Sequence, residues 1–209
     1  MCASMITIQI LCCIAGMLGA GDEPHSQNTD RKGDAESGES ATHSGFTDVE
    51  LARTTLSPQL KRLTLRNSTI TDAGLVELKG LMNLKFLSMN GAPIRGEGLS
   101  DLKGLLQLRS LSLNDTKLTD KGMEHLSRLK QLRTLSLDNT EITDAGLVHL
   151  KDLTKLEWLY MNETAISDTG LSHLRVMSQL RFVTVVNTCV TNAGVERLHE
   201  SLPGVRIRR

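Results

Sequence analysis

The chain repeats itself every 24 residues, and that recurrence constrains its folding more than any other feature. LRTLSLDNTEITDAGLVHLKDLTK at 132–155 returns one period earlier as LRSLSLNDTKLTDKGMEHLSRLKQ (108–131) and one later as LEWLYMNETAISDTGLSHLRVMSQ (156–179), in register. A period of this size marks stacked supersecondary units, each burying its apolar face against the next, and argues against a single closed core. Such a chain forms one domain whose stability is spread along its length.

Four apolar columns carry the pattern. The first is Leu60, Leu84, Leu108, Leu132, Leu156 and Leu180; three residues on stand Leu63, Leu87, Leu111, Leu135, Leu159 and Val183. Two further come Leu65, Met89, Leu113, Leu137, Met161 and Val185, and the fourth column is Ile70, Ile94, Leu118, Ile142, Ile166 and Val190. Together they spell L-x-x-L-x-L-x-x-(N/C)-x-L, with Ser68, Ala92, Thr116, Thr140, Thr164 and Thr188 in the Asn/Cys slot, where a hydroxyl can still bond the turning backbone. On these residues, over about 46–209, the chain resembles leucine-rich repeat proteins. Its T-x-I-T-D-x-G-L line resembles bacterial members and, more distantly, the helix-containing repeats of ribonuclease inhibitor and F-box-associated receptors. The resemblance implies an α/β, right-handed leucine-rich-repeat solenoid, with a parallel sheet on the concave face, short helices on the convex face and a protein-binding role.

Within each unit the L-x-L segment alternates as a strand with one buried face requires. Thr71, Thr119, Thr143, Ser167 and Thr191 then stand where a helix is capped, with Asp72, Asp120, Asp144 and Asp168 beside its positive end. Helical spacing follows, as in Leu75–Leu78 and Leu147–Leu150. Gly74, Gly98, Gly122, Gly146, Gly170 and Gly194 never vary. Glycine in a helix costs about 1 kcal/mol relative to Ala, so its return implies that a Cβ would meet the neighbouring unit.

Residues 1–20, MCASMITIQILCCIAGMLGA, hold no charge and an apolar run from Ile6 to Ala20. That is short for a bilayer span of about 20 apolar residues. It reads as a signal peptide processed after Ala20 or Gly21, hence an exported chain (periplasm, cell envelope or outside), with an uncleaved anchor as the alternative. Residues 21–45 contain no aliphatic side chain larger than Ala and read as a disordered polar tether. Phe46-Thr47-Asp48 aligns with Ile70-Thr71-Asp72 without a preceding strand, so 46–59 reads as a lone capping helix, followed by six repeats from residue 60. At the end, Leu202, Val205 and Ile207 keep strand spacing with the turn before them shortened by two residues. An edge strand over 202–209 follows, its arginines deterring edge pairing.

The strand residues that point away from the core fall in three columns. They are Arg62, Phe86, Ser110, Thr134, Trp158 and Phe182; Thr64, Ser88, Ser112, Ser136, Tyr160 and Thr184; and Arg66, Asn90, Asn114, Asp138, Asn162 and Val186. Every core column is aliphatic, while four of the chain's five aromatics stand here. Aromatic anchors dominate interface energetics, so the candidate protein-binding residues are Phe86, Trp158, Tyr160, Phe182 and Val186, with Arg62 and Arg66 making the other end mildly basic.

Other chemistries find little support. Of the four cysteines only Cys189 lies outside the leader, which leaves no disulfide framework. His125, His149 and His173 share one column, but helices packed about 8–10 Å apart do not bring their nitrogens to the 2.0–2.1 Å that zinc requires. The column reads as exposed convex-face residues. No metal, cofactor or catalytic residues are expected, and with 24 basic against 24 acidic residues no nucleic-acid partner. The reading is a non-catalytic protein-binding module, with a structural or self-associating, homo-oligomeric cell-envelope protein as the alternative. A ubiquitin-ligase substrate receptor stands third, since residues 21–45 are too short and polar to supply a helical adaptor-binding domain.

Overall fold

A computed structural model describes residues 39–209, so the expected signal peptide and the tether up to residue 38 lie outside the described residues. The chain builds one parallel sheet in sequence order: β1 Ser40–Ser44, β2 Arg62–Arg66, β3 Phe86–Ser88, β4 Ser110–Ser112, β5 Thr134–Ser136, β6 Trp158–Tyr160, β7 Phe182–Thr184 and β8 Arg206–Arg208. From β2 onward every pairing joins residues 24 apart, as in Leu111 with Leu135. The sequence period is thus the register of the sheet.

The four aliphatic columns form one continuous core, each member at most 4% exposed. Helices close each unit on the other side. Asp72–Leu78 and Glu97–Gly104 are 3-10 helices, followed by α-helices Asp120–Leu126, Asp144–Leu147, Asp168–His173 and Asn192–Ser201. At three residues per turn, side chains i and i+3 eclipse, so in the first two units Leu75 with Leu78 and Leu99 with Leu102 point into the core together. The threonine hydroxyls of the Asn/Cys slot bond the turn as anticipated, Thr116 donating to the Leu113 carbonyl at 2.7 Å and Thr140, Thr164 and Thr188 repeating the bond, whereas the buried Ser68 hydroxyl makes none among the described residues.

The aspartates at the helix starts reach forward into the next unit. Asp120 accepts the backbone N–H of Thr143 at 2.7 Å and its hydroxyl at 2.6 Å, and the Thr143 oxygen in turn accepts the N–H of Ala145. The same rung joins Asp48 to Thr71, Asp144 to Ser167 and Asp168 to Thr191. This explains most of the glycine column. A Cβ at Gly74, Gly146, Gly170 or Gly194 would sit within 3 Å of the carboxylate of the preceding unit's aspartate, and one at Gly98 would strike the backbone of Asp72.

Two boundaries differ from the sequence reading. The polar tether does not run to residue 45, and the first helix does not lack its strand: Ser40–Ser44 pairs with Arg62–Arg66 as β1. Its ladder is main-chain bonding, which carries no aliphatic signature. The Lys61 and Arg62 N–H groups donate to the Glu39 carbonyl at 2.7 and 3.0 Å, and Gly45 N–H to that of Arg66 at 2.9 Å. Ala41 packs on the core edge and His43 stacks on Phe46 at 4.4 Å. The first helix, Asp48–Arg53, starts in a capping box between Thr47 and Glu50, so Glu50 stands where later units need glycine. At the other end the turn is not shortened by two. Val183 pairs with Ile207, keeping the 24-residue offset, and Phe182 with Arg206.

Candidate functional site

The open face of the sheet is carpeted with short side chains from which a few large ones rise. Trp158 and Phe182 occupy paired positions on β6 and β7, and their ring centroids lie 5.6 Å apart at 49°. Tyr160 meets Phe182 edge-on at 5.9 Å and 61°. Such tilted geometries suit ring quadrupoles. Trp158 is 41% exposed, while Tyr160, Phe182 and Phe86 are half-buried. The middle column is less open than its alternation implies, since Thr64, Ser136 and Thr184 are buried among their neighbours.

Phe86, on β3, stands apart from the three clustered rings. The Arg62 guanidinium lies 4.2 Å above its ring centroid, a cation–π contact. Arg62, Phe86 and Tyr160 line one shallow depression of about 260 Å³, floored by Ser88, Ser110, Ser112, Thr134 and Ser136. The two groups of large side chains therefore flank a single hydroxyl-lined floor.

The third column is a hydrogen-bonded ladder. Asn90 Oδ1 accepts the Ser112 hydroxyl at 2.7 Å and the Asn114 N–H at 3.1 Å, and Asn114 Oδ1 accepts the Ser136 hydroxyl and the Asp138 N–H at 2.7 and 3.0 Å. Asp138 accepts the Asn162 N–H at 2.7 Å, and Asn162 that of Val186 at 2.9 Å. Val186 is thus tied through its backbone at the ladder's end, one residue pair beyond the rings. Arg66 closes β2 opposite Ser44, on the far side of the sheet from the ring cluster. Burial pushes the Asp138 carboxyl above the ordinary range, with the Glu163 and Asp115 charges adding to it against the Asn162 hydrogen bonds. Burial likewise raises the Tyr160 hydroxyl, with the Asp138 charge contributing.

Arg206 and Arg208 were missing from the sequence-derived set. They pair with Phe182 and Thr184 on β8, so they share the open face with the rings. Adding 24 to the numbers of two exposed positions would have found them. Arg209 turns elsewhere, donating to the Val190 carbonyl at 2.6 Å and to Asn192.

Away from this face, His125, His149 and His173 are half-buried, more covered than the sequence implies. Among the described residues no group of three or more His, Cys, Asp or Glu is placed to hold a metal ion. Cys189 is partly buried. No helix among the described residues is long and apolar enough to cross a membrane.

Residues 106–166 match the family described as Leucine rich repeat. Solved structures share the fold. Internalin C2 from Listeria monocytogenes aligns over 80% of either chain with a TM-score of 0.58 and 24% identity. The fold is a leucine-rich-repeat solenoid. A second similar solenoid, a leucine-rich-repeat protein of Leptospira interrogans, aligns over 73% of this chain with a TM-score of 0.59 and 20% identity, and this chain spans 38% of its length. At these identities the likeness is one of fold. No curated protein sequence matches the chain. Leucine-rich-repeat solenoids present extended concave surfaces that bind partners.

Proposed function

We propose that this chain is a non-catalytic protein-binding module whose contact surface is the concave sheet face, anchored by Trp158, Tyr160 and Phe182, with Phe86 and Arg62 across the hydroxyl floor and Val186 and Arg66 at its margins. One observation carries the reading: the core is aliphatic throughout, and the rings instead meet one another on the open face. Rings there lose little side-chain entropy on binding and bring large apolar area. The forward Asp-to-Thr rungs support placing the units in the helix-containing T-x-I-T-D-x-G-L class. The uncharged apolar leader supports an exported location.

The test pairs two measurements. Light scattering coupled to size exclusion gives the mass of the wild type and of Trp158→Ala and Phe182→Ala. The wild type and a Trp158→Ala/Tyr160→Ala variant are then used as baits in extract from the native compartment. A monomer whose partner recovery falls at least about ten-fold in the double variant, the loss of a hot spot, supports the proposal. Equal recovery refutes it. A wild-type dimer that the single variants dissociate assigns the face to self-association.

A further inference from the structure

We propose that the partner presents an acidic, extended segment to the concave face, with carboxylates toward both ends and an apolar side chain seated on the Trp158–Phe182 rings, and that Arg206 and Arg208 belong to the site. The inference rests on the reading of this face as the contact surface and adds the partner's chemistry.

The chain as a whole is neutral, with 24 basic and 24 acidic residues, but its charge is not evenly shared. The strand positions on the open face carry Arg62 toward one end and Arg206 and Arg208 at the other, with Asp138 between them and Asp115 and Glu163 close to it. Just before β3 and β4, Lys85 and Arg109 add positive charge and make no ion pair among the described residues, whereas Arg133 and Arg181 are taken up by Glu157. Acidic residues gather instead on the opposite rim, where Asp48, Asp120, Asp144 and Asp168 are consumed as inter-repeat rungs. The two ends of the open face are therefore positive on a neutral molecule, and they select acidic groups there.

The distribution within that face narrows the ligand further. Positive charge stands on β2 at one end and on β8 at the other, while hydroxyls, rings and Asp138 fill the middle. A uniformly charged polymer would lay charge against the apolar rings and the Asp138 carboxylate. A peptide can match the face position by position. Six strand steps of about 4.8 Å separate Arg62 from Arg206, about 29 Å, which an extended segment covers in about nine residues at 3.3 Å each. Arg206 stands directly beside Phe182, so the apolar anchor and the nearest carboxylate would be close neighbours in the partner.

The experiment titrates the full chain, by fluorescence anisotropy, into three labelled peptides of about nine residues. One carries Asp and Glu at both ends around a Leu-Phe pair, the second replaces its acids with Asn and Gln, and the third keeps the acids but replaces Leu-Phe with Ala. The first should bind at least about ten-fold more tightly than the others and weaken with added salt. Arg206→Glu with Arg208→Glu should lower that affinity about ten-fold, Lys151→Glu on the convex side should not, and the Gln pair of substitutions gives the same direction should the Glu pair unfold β8. Failure of the first peptide to bind, or equal binding by the amide peptide, overturns the inference. If amide-peptide binding is nevertheless lost in Trp158→Ala, the concave-face reading stands while the acidic partner falls; insensitivity to every one of these variants removes both. Duplex DNA or phosphatidylglycerol vesicles binding more tightly than the peptide, through the same arginines, would reassign the face to a polyanion and overturn it as well.

Discussion

Asp168 and Asp138 each accept a backbone N–H from the unit that follows, Thr191 at 2.8 Å and Asn162 at 2.7 Å, yet their acidities move in opposite directions. At Asp168 the cost of burial is outweighed by the N–H and hydroxyl of Thr191 and by Arg197, so the carboxyl titrates below its ordinary value. At Asp138 burial wins, and Glu163 and Asp115 push the same way. The difference lies in the neighbouring charges as well as in burial: Arg197 stands beside Asp168, whereas Glu163 and Asp115 face Asp138. Along the open-face ladder Asn90 and Asn114 receive a serine hydroxyl as well as an N–H, but one unit on from Ser136 the hydroxyl position is Tyr160. Asp138 therefore receives its hydrogen bonds from Asn162 and none from a serine hydroxyl. The helix-side ladder has its own gap, where Gly96 stands in the aspartate position and Thr119 bonds the Arg95 carbonyl instead, and the open-face ladder loses its hydroxyl beside the rings.

The sharpest way to break the comparison is to crowd the helix-side ladder. Gly170→Ala should cost about 2–3 kcal/mol in urea unfolding, because its Cβ would meet the Asp144 carboxylate. Gly80→Ala, with nothing within 4 Å of the added carbon, should stay within about 0.5 kcal/mol. Asp144→Ala should cost about 1–2 kcal/mol by leaving the Ser167 N–H and hydroxyl without their acceptor. In that background Gly170→Ala should become cheaper, a coupling of about 1 kcal/mol in the double-mutant cycle; strict additivity would show that the two ladder residues do not constrain each other.

Smaller effects sharpen the other side. Glu163 holds a left-handed φ of 55° where the equivalent positions are Asn67, Gly91, Asp115, Asn139 and Asn187. Asn tolerates that conformation better than Glu, so Glu163→Asn should gain about 0.5–1 kcal/mol and bring the Asp138 carboxyl back toward its ordinary range, read by NMR titration. The smallest effect is in the pH dependence. A carboxyl raised in the folded state stabilises the fold below its unfolded value of 3.8 and loses that contribution as pH rises through the folded value. Asp138→Asn keeps the acceptor without the charge, so it should be more stable than wild type at pH 7, with the advantage shrinking toward pH 3.8. Asp168 has the opposite sign: its contribution is complete above 3.8 and is lost as pH falls through its lowered value. Asp168→Asn should therefore flatten the acid limb of the urea midpoint, and leave the neutral one lower.

Much of the fold was legible because a 24-residue period leaves little freedom: Leu63, Leu65 and Ile70 and their successors are core wherever the unit is repeated. The ring positions were legible by alternation, and Trp158 and Phe182 do meet on one face. What escaped notice is what repetition does not mark. Ser40–Ser44 is a strand by virtue of the β2 backbone beside it, and its side chains carry no aliphatic stripe. Arg206 and Arg208 read as edge protection until their pairing put them beside Phe182 and Thr184.

The amino-acid order alone therefore determined the period, the aliphatic columns and which residues of each strand turn away from them, since alternation and repeat length are properties of a single unit. Only the tertiary structure decided what meets across units: an aspartate against the next glycine, Glu163 and Asp115 against Asp138, arginines beside rings. Those contacts depend on how one unit is seated on another to within an ångström or so, and a repeating pattern specifies the neighbours without specifying that fit.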